Sequence, residues 1–380
     1  MKRVLVIETL SQIYGGQKMS LTVSELLKES GLFEIIWAIP ENGELSQTLE
    51  KKGYKYECFG NVDLPSGEKG KSAVFQYGNM SLKVIHKLNR IIKQYHIDII
   101  YSPGPASLPW AAICGSFRRL PVIWHLHHIF VDGPTLKLLN ICSSFHSVRR
   151  IIAVSDAVGK QINNKIGSQK CKTLYNPINY ELYSNGNIQS IAKICPYEKK
   201  LAGEDILIAE HIGIIHPTKR QDYTIRLVAE FKNIGKQVHA VFIGKCDERD
   251  YNYRDDLKSL ALKLGVSDQI HFVGQQDNVY DWLKGADFVF IPSIEGLSLV
   301  ALEGMAAGVP VIATSECGVG ELLRASKAGK TYNEGDDLKS ICETIIASLS
   351  DKDAIKSGIS FAQEHSYERY QKEITFIFNQ

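Results

Sequence analysis

The chain has 380 residues, 44% of them hydrophobic and 23% charged, which suits a globular protein and is enough for two domains with full cores. No apolar run reaches the roughly 18 residues of a membrane-spanning helix, and the run opening MKRVLVIETL meets Glu8 too soon for a signal-peptide core. Residues 1–180 carry 22 Lys+Arg against 13 Asp+Glu, a net +9, and the remaining 200 residues carry 22 against 29, a net −7, so the first half suits an anionic partner.

Arg3 to Glu8 reads as a strand, Thr9 to Gly16 as a loop ending in Gly15-Gly16, and Gln17 to Lys28 as an amphipathic helix. Paired glycines at a strand-to-helix turn let a ligand approach the backbone closely. No G-x-G-x-x-G is present, so the dinucleotide fingerprint is absent. Phe33–Ile39, Tyr54–Phe59, Ile97–Tyr101, Val122–His125 and Arg150–Val154 read as further strands, with helical stretches between most of them. Such alternation gives a parallel sheet with helices on both faces. Residues 61–75 are polar and aperiodic and read as a mobile loop. The turn at 102–109 and the strand ending in His125, His127 and His128 reach the carboxyl edge of the sheet, where open α/β sheets bind ligands. His125 and His127 share a face of an extended strand, but no nearby Cys, Asp or Glu completes a tetrahedral set, so a metal site is disfavoured. The eight scattered cysteines form no C-x-x-C pair and read as reduced thiols.

Residues 181–203 are polar and irregular and read as a linker. It divides a first domain, 1–180, from a second, 204–363, with a terminal amphipathic helix at 364–380. The second domain opens on the strand Ile206–Ile215. Pro217 and Thr218 then start a helix with Lys219 and Arg220 in its first turn, where cations oppose the helix dipole unless an anion lies there. Val238–Gly244 and Ile270–Gly274 are strands, and Asn278–Lys284 is a short helix. Asp287 to Thr314, DFVFIPSIEGLSLVALEGMAAGVPVIAT, reads as strand, loop, helix and strand, the helix being Leu299–Ala307, ended by Gly308 and Pro310. Backbone N–H groups of the loop and of the helix start make an anion site. Glu295 lies in that loop and Glu303 lies inside an otherwise apolar helix, where a carboxylate needs partners such as a ribose diol.

The segment EGLSLVALEGMAAGVPVIAT resembles the E-x(7)-E segment of retaining, nucleotide-sugar-dependent glycosyltransferases of family 4, which have the GT-B fold. IIAVSDAVGK at 151–160 and LYNPINYELY at 174–183 are similar to the same family. The resemblance implies an α/β chain of two Rossmann-like, doubly wound parallel-sheet domains facing a cleft. The first domain binds the acceptor and the second binds the donor, with the last helix crossing back to the first. It implies transfer of a hexose-type sugar from a UDP- or GDP-sugar to an acceptor hydroxyl, with retention and without a metal or other cofactor, in assembly of bacterial cell-surface polysaccharide such as O-antigen, capsule or lipopolysaccharide. Glu295 would hold the donor sugar, His127 would contact it, and Glu303 would hold the ribose. Lys219 matches a diphosphate-binding lysine. Ile214 stands where an arginine is often found, and Arg220 is the candidate replacement. Gly15 and Gly16, the backbone of Val273 and Gly274, and the run Gly296, Leu297, Ser298 and Leu299 complete the donor set. His128 stands where members usually have an acid.

Two rivals remain at this stage, a nucleotide-sugar epimerase of the same fold and a non-enzymatic two-lobed sugar-binding protein. The charge split adds an expectation of a cytoplasmic protein that meets the inner face of the membrane through its first domain and acts on a lipid-linked saccharide. Leu82 to His96 reads as a basic amphipathic helix that could lie on anionic lipid. No aromatic-basic motif for nucleic acid accompanies the charge.

Overall fold

The computed structural model describes residues 1–62, 71–130 and 132–380, with the side chains of 71–74 set aside. The chain forms two compact units, Met1–Asn176 with Tyr367–Gln380, and Pro177–Ser366.

Unit 1 runs β1 (Lys2–Ile7), α1 (Gly15–Glu29), β2 (Phe33–Ile39), α2 (Glu44–Lys51), β3 (Lys55–Cys58), α3 (Lys71–Gln94) and β4 (Ile99–Ser102). It continues with α4 (Ser107–Arg118), β5 (Val122–Leu126), α5 (Gly133–Ser143), β6 (Val148–Ala153), α6 (Asp156–Gly159), α7 (Lys165–Ser168) and β7 (Cys171–Thr173). Its seven strands pair in parallel in the order β3-β2-β1-β4-β5-β6-β7. Helices cover both faces, so the central strands are continuous apolar runs; Val4 to Ile7 and Ile99 to Tyr101 are all buried.

Unit 2 begins with three short helical pieces, α8 (Tyr180–Ser184), a 3₁₀ turn at Ile188–Ile191 and α9 (Tyr197–Leu201). It then runs β8 (Leu207–Ile212), α10 (Gln221–Asn233), β9 (Val238–Ile243), α11 (Tyr251–Lys263), β10 (Ile270–Gly274), α12 (Val279–Gly285) and β11 (Phe288–Ile291). After β11 come α13 (Leu299–Ala307), β12 (Val311–Thr314), α14 (Gly318–Ser326), β13 (Gly329–Tyr332), α15 (Leu338–Leu349) and α16 (Lys352–Glu364). The six strands are parallel in the order β10-β9-β8-β11-β12-β13. The strand order reverses between β1 and β4 in unit 1 and between β8 and β11 in unit 2. In a doubly wound sheet a ligand crevice opens at this point, outside the strand carboxyl ends.

The last helix, α17 (Tyr367–Asn379), belongs to unit 1. Gln371 donates to the Leu26 carbonyl at 2.8 Å, and the Phe378 ring meets Phe33 edge-on at 5.9 Å. Two local features depart from the sequence reading. The stretch 181–203 is not irregular: Tyr197 is fully buried beside Trp282, and its hydroxyl donates to Glu210 at 2.6 Å. One large aromatic fastens a polar stretch whose composition resembles a loop. Helix α3 begins at Lys71, inside the expected loop at 61–75, of which 63–70 lie outside the described residues.

Candidate active site

Beside the reversal point of unit 2, the chain leaving β8 meets the chain leaving its other neighbour, β9. After β8, Gly213 has φ +156°, and after β9, Gly244 has φ +158°. A Cβ on Gly244 would overlap the Gly213 carbonyl, so the two turns cross backbone on backbone. Pro217 to Lys219 then form a 3₁₀ turn, Arg220 takes a left-handed φ of +57°, and α10 starts only at Gln221. This corrects the expectation of Lys219 and Arg220 in a helical first turn. The amides of Lys219 and Arg220 donate back to the carbonyls of His216 and Pro217 at 2.9 and 3.1 Å, closing a tight turn that α10 does not continue.

That turn aims Lys219 across the reversal point. Its stem passes over Gly213, and its Nζ stands 2.7 Å from Glu295 Oε1 in the loop after β11. Ser293 donates to the same oxygen at 2.5 Å, and the Gly318 amide holds the Glu295 carbonyl at 2.9 Å. The pair is partly open to solvent, at 26% and 18% exposure. Beneath it, burial and then the Lys219 charge push His211 down to about 3, so that ring, bonded to Thr224 at 2.8 Å, is neutral. Arg220 reaches Glu334 at 3.0 Å and lies over the Tyr223 ring at 5.0 Å.

The loop leads into α13. Gly296 and Ser298 are buried, Leu297 and Leu299 half-buried, and the Ser298 side chain caps no first-turn amide. Glu303, one turn further on, is half-buried and accepts from the Tyr183 hydroxyl of α8 at 2.7 Å. The expectation of a carboxylate awaiting a ribose is therefore modified, because the chain itself supplies a hydroxyl. At the end of β10 the Val273 carbonyl accepts from Gln276 at 2.8 Å. The exposed Gly274 accepts from the Gly244 amide at 2.9 Å.

In unit 1, Gly15 and Gly16 open α1, and a Cβ on either would meet nothing within 4 Å. Glu8, at the end of β1 and 1% exposed, accepts from Ser20, from Gln17 at 3.0 Å and from the Thr9 amide at 3.3 Å, tying the loop to α1. Burial raises its carboxyl above the ordinary range. His127 follows β5 with its ring 4.0 Å from that of His125. Its Nε2 is buried without a hydrogen-bond partner, and burial, then the neighbouring histidines, hold it well below the usual imidazole value. His125 is fully buried, bonded to the Tyr101 hydroxyl at 2.7 Å and lowered by burial to about 3. Among the described residues no group of three or more His, Cys, Asp or Glu side chains is placed to hold a metal ion.

Sequence reasoning missed Glu8, Tyr101, Tyr183 and the Gly213–Gly244 crossing. Glycines just beyond two strand ends were the readable signal for the last. The other three look like ordinary strand or helix residues until their partners are known.

Residues 198–365 match the family described as Glycosyl transferases group 1, and residues 43–182 match Glycosyltransferase Family 4. The chain belongs to the GT-B-fold glycosyltransferases, enzymes that transfer a sugar from a nucleotide-sugar. It is 26% identical over 315 residues to N-acetyl-alpha-D-glucosaminyl L-malate synthase of Bacillus anthracis, covering 79% of this chain and 78% of that one. It is 33% identical over 115 residues to the lipopolysaccharide core biosynthesis mannosyltransferase LpsB of Rhizobium meliloti, 30% of this chain and 33% of that one. In fold it is similar to Anabaena Alr3699/HepE in complex with UDP, with a TM-score of 0.81 at 19% identity over all of both chains. It is also similar to WaaG, a glycosyltransferase involved in lipopolysaccharide biosynthesis, with a TM-score of 0.66 at 14% identity over 98% and 99% of the two chains.

Proposed function

We propose that this protein is a retaining, metal-independent hexosyltransferase. It takes a UDP- or GDP-sugar as donor and a lipid-linked saccharide as acceptor, in cell-surface polysaccharide assembly. The observation that carries the reading is the Lys219–Glu295 pair at the reversal point of unit 2, beside the start of α13. Lys219, Arg220 and the amides of Gly296 to Leu299 form the diphosphate site, where preorganised positive charge stabilises the leaving group. An incoming diphosphate replaces Glu295 as the partner of Lys219. The freed carboxylate then accepts from a hydroxyl of the transferred sugar. Glu303 binds the ribose, taking it in place of the Tyr183 hydroxyl, and the backbone at Val273 and Gly274 brackets the base. Gly15 and Gly16 leave room for a ligand at the start of α1. His127 offers a neutral imidazole to a sugar hydroxyl.

In the reaction the bond from the anomeric carbon to the phosphate oxygen breaks, and the bond to the acceptor oxygen forms on the same face. The acceptor proton passes to the departing phosphate, so the protein needs cations there more than a strong base. Kinship with lipopolysaccharide enzymes supports a saccharide acceptor carried on lipid, met at the inner face of the cell membrane through unit 1. The test is a thermal-shift screen with UDP-, GDP-, ADP- and CMP-sugars, since a ligand of the folded state raises the melting temperature. NMR of the product formed with chelator present follows. A shift with UDP- or GDP-sugars and an unchanged anomeric configuration are expected. An inverted product, loss of activity in chelator, or isomerised donor made without acceptor overturns the reading.

A further inference from the structure

The positive charge of the first half is concentrated in one part of the fold. Residues 71–150 hold ten Lys+Arg and two Asp+Glu, whereas residues 1–70 hold eight and ten. The 71–150 stretch spans α3, α4 and α5, and none of these helices contains a carboxylate. Both of its acids are held by backbone amides: Asp98, before β4, accepts from the Arg3 amide at 2.8 Å, and Asp132, at the N-terminus of α5, accepts from the Thr135 amide at 2.8 Å.

The three helices are neighbours, with α4 packed against both α3 and α5. Trp110 donates to Ser81 at 2.7 Å and Arg118 to Asn89 at 2.9 Å, which fixes α3 alongside α4. Between those two links lie Leu82 on α3 and Ile113 and Phe117 on α4. All three point outward, at 71%, 39% and 74% exposure, and Ile141 on α5 is 53% exposed. Lys83, Arg90, Arg119 and Lys137 are exposed on or beside the same helices. The apolar stripe expected on Leu82 to His96 divides: Leu88 and Ile92 are buried, as packing on a sheet requires, while Leu82 leaves the stripe and stands outside.

We propose that the outward face of α3, α4 and α5 docks on an anionic lipid bilayer. Leu82, Ile113, Phe117 and Ile141 enter the interfacial layer, and the surrounding Lys and Arg lie against lipid phosphates. This rests on the membrane-facing acceptor proposed above and names the surface that meets the membrane. Large apolar side chains set among cations are the composition of an interfacial anchor. Face-to-face pairing of two copies would bring like charges together with no carboxylate between them, which disfavours a homodimer through this face. Of the four tips only Phe117 is aromatic, whereas single-stranded nucleic acid is held by several bases stacked on successive rings, which disfavours that partner.

The test is co-sedimentation of the full chain with phosphatidylcholine vesicles, with or without about 30% phosphatidylglycerol, at low salt and at about 0.5 M NaCl, where screening releases electrostatic binders. Wild type is expected to pellet only with anionic vesicles at low salt. Phe117→Ser with Ile141→Ser, and separately Lys83→Gln with Lys137→Gln, should each lower partitioning about tenfold or more. Melting temperature and transfer to a detergent-free soluble acceptor should stay unchanged. If wild type ignores anionic vesicles, the membrane reading and this surface fall together. If wild type binds and both double variants bind equally well, the surface is wrong while the membrane reading stands. If Phe117→Ser with Ile141→Ser instead dissolves a dimer seen by ultracentrifugation in a chain that ignores vesicles, the face is a protein interface and the proposal is overturned.

Discussion

A lysine and a glutamate 2.7 Å apart in a partly open site can be a surface ion pair and nothing more, and such pairs contribute roughly 0–1 kcal/mol to stability. The two readings differ in what Lys219→Ala does. As a structural pair its loss would shift melting slightly and leave turnover intact. As the diphosphate clamp, its loss should cut kcat at saturating donor by about a hundredfold or more, on the order of 3 kcal/mol in the barrier, with melting little changed. Turnover close to wild type would remove Lys219 from the site. The two glutamates separate by ligand. Glu303→Ala should weaken binding of the bare nucleoside diphosphate by about tenfold, the loss of one charged hydrogen bond. Glu295→Ala should leave that binding near normal and reduce transfer. Calorimetry with UDP or GDP, set beside kinetics, reads both; equal effects of the two changes on nucleotide binding contradict the assignment. At this scale the sequence displayed the residue types but not their partners. Glu295 meets a lysine 76 positions away and Glu303 a tyrosine 120 positions away, separations that no local pattern encodes. The left-handed Arg220 was equally hidden, since a non-glycine residue there is held by its surroundings.

Elements were more legible, because buried parallel strands are uninterrupted apolar runs and their helices end on breakers. Phe33–Ile39 and Ile270–Gly274 are observed as read. So is Leu299–Ala307, closed by Gly308 at φ +75° with Val309 donating to Gly304 at 2.9 Å. The 3₁₀ turn before α10 and the short helices at 180–201 were not legible, since pieces of three to five residues are too short to show a period. Glycines test the element scale, since two kinds occur. Gly244 sits at a positive φ against the Gly213 carbonyl, so Gly244→Ala should destabilise unit 2 by roughly 2–4 kcal/mol, through strain and overlap together. Gly16 has an ordinary φ and open space. Gly16→Ala should therefore leave stability unchanged or raise it by up to about 1 kcal/mol, while transfer falls if a ligand comes close there. Urea midpoints and donor KM values distinguish the cases. A destabilised Gly16→Ala would show that this glycine serves the fold.

At the scale of the whole molecule, a fold shared at 19% identity over all of both chains rests on the apolar pattern of the strands rather than on particular polar residues, and that pattern is what the sequence displays. The buried polar groups of this chain set its response to pH. In unit 2, burial lowers His211 to about 3 and His239 to about 4, and also lowers His271. The same cause raises Glu210, on β8, to about 8. As pH falls below the ordinary histidine value of 6.5, the unfolded chain takes up protons that these folded histidines refuse, so stability drops toward pH 4. Glu210 acts in the opposite direction. The folded state keeps its proton up to about pH 8 while the unfolded carboxyl ionises from about 4.5, so stability declines as pH rises through that interval and then levels off. Between 4.5 and 6.5 His211 and His239 outweigh one glutamate, and His271 acts in the same direction as they do; between 6.5 and 8 the glutamate acts without them. The melting temperature of unit 2 should therefore peak near pH 6.5, falling on the acid side by the equivalent of a few kcal/mol by about pH 5. Glu210→Gln keeps an acceptor for the Tyr197 hydroxyl and removes the ionisation. Its alkaline limb should flatten while its acid limb stays as in wild type. Calorimetric scans from about pH 5 to 9 decide this, and an alkaline limb unchanged in Glu210→Gln would show that the decline arises from another group.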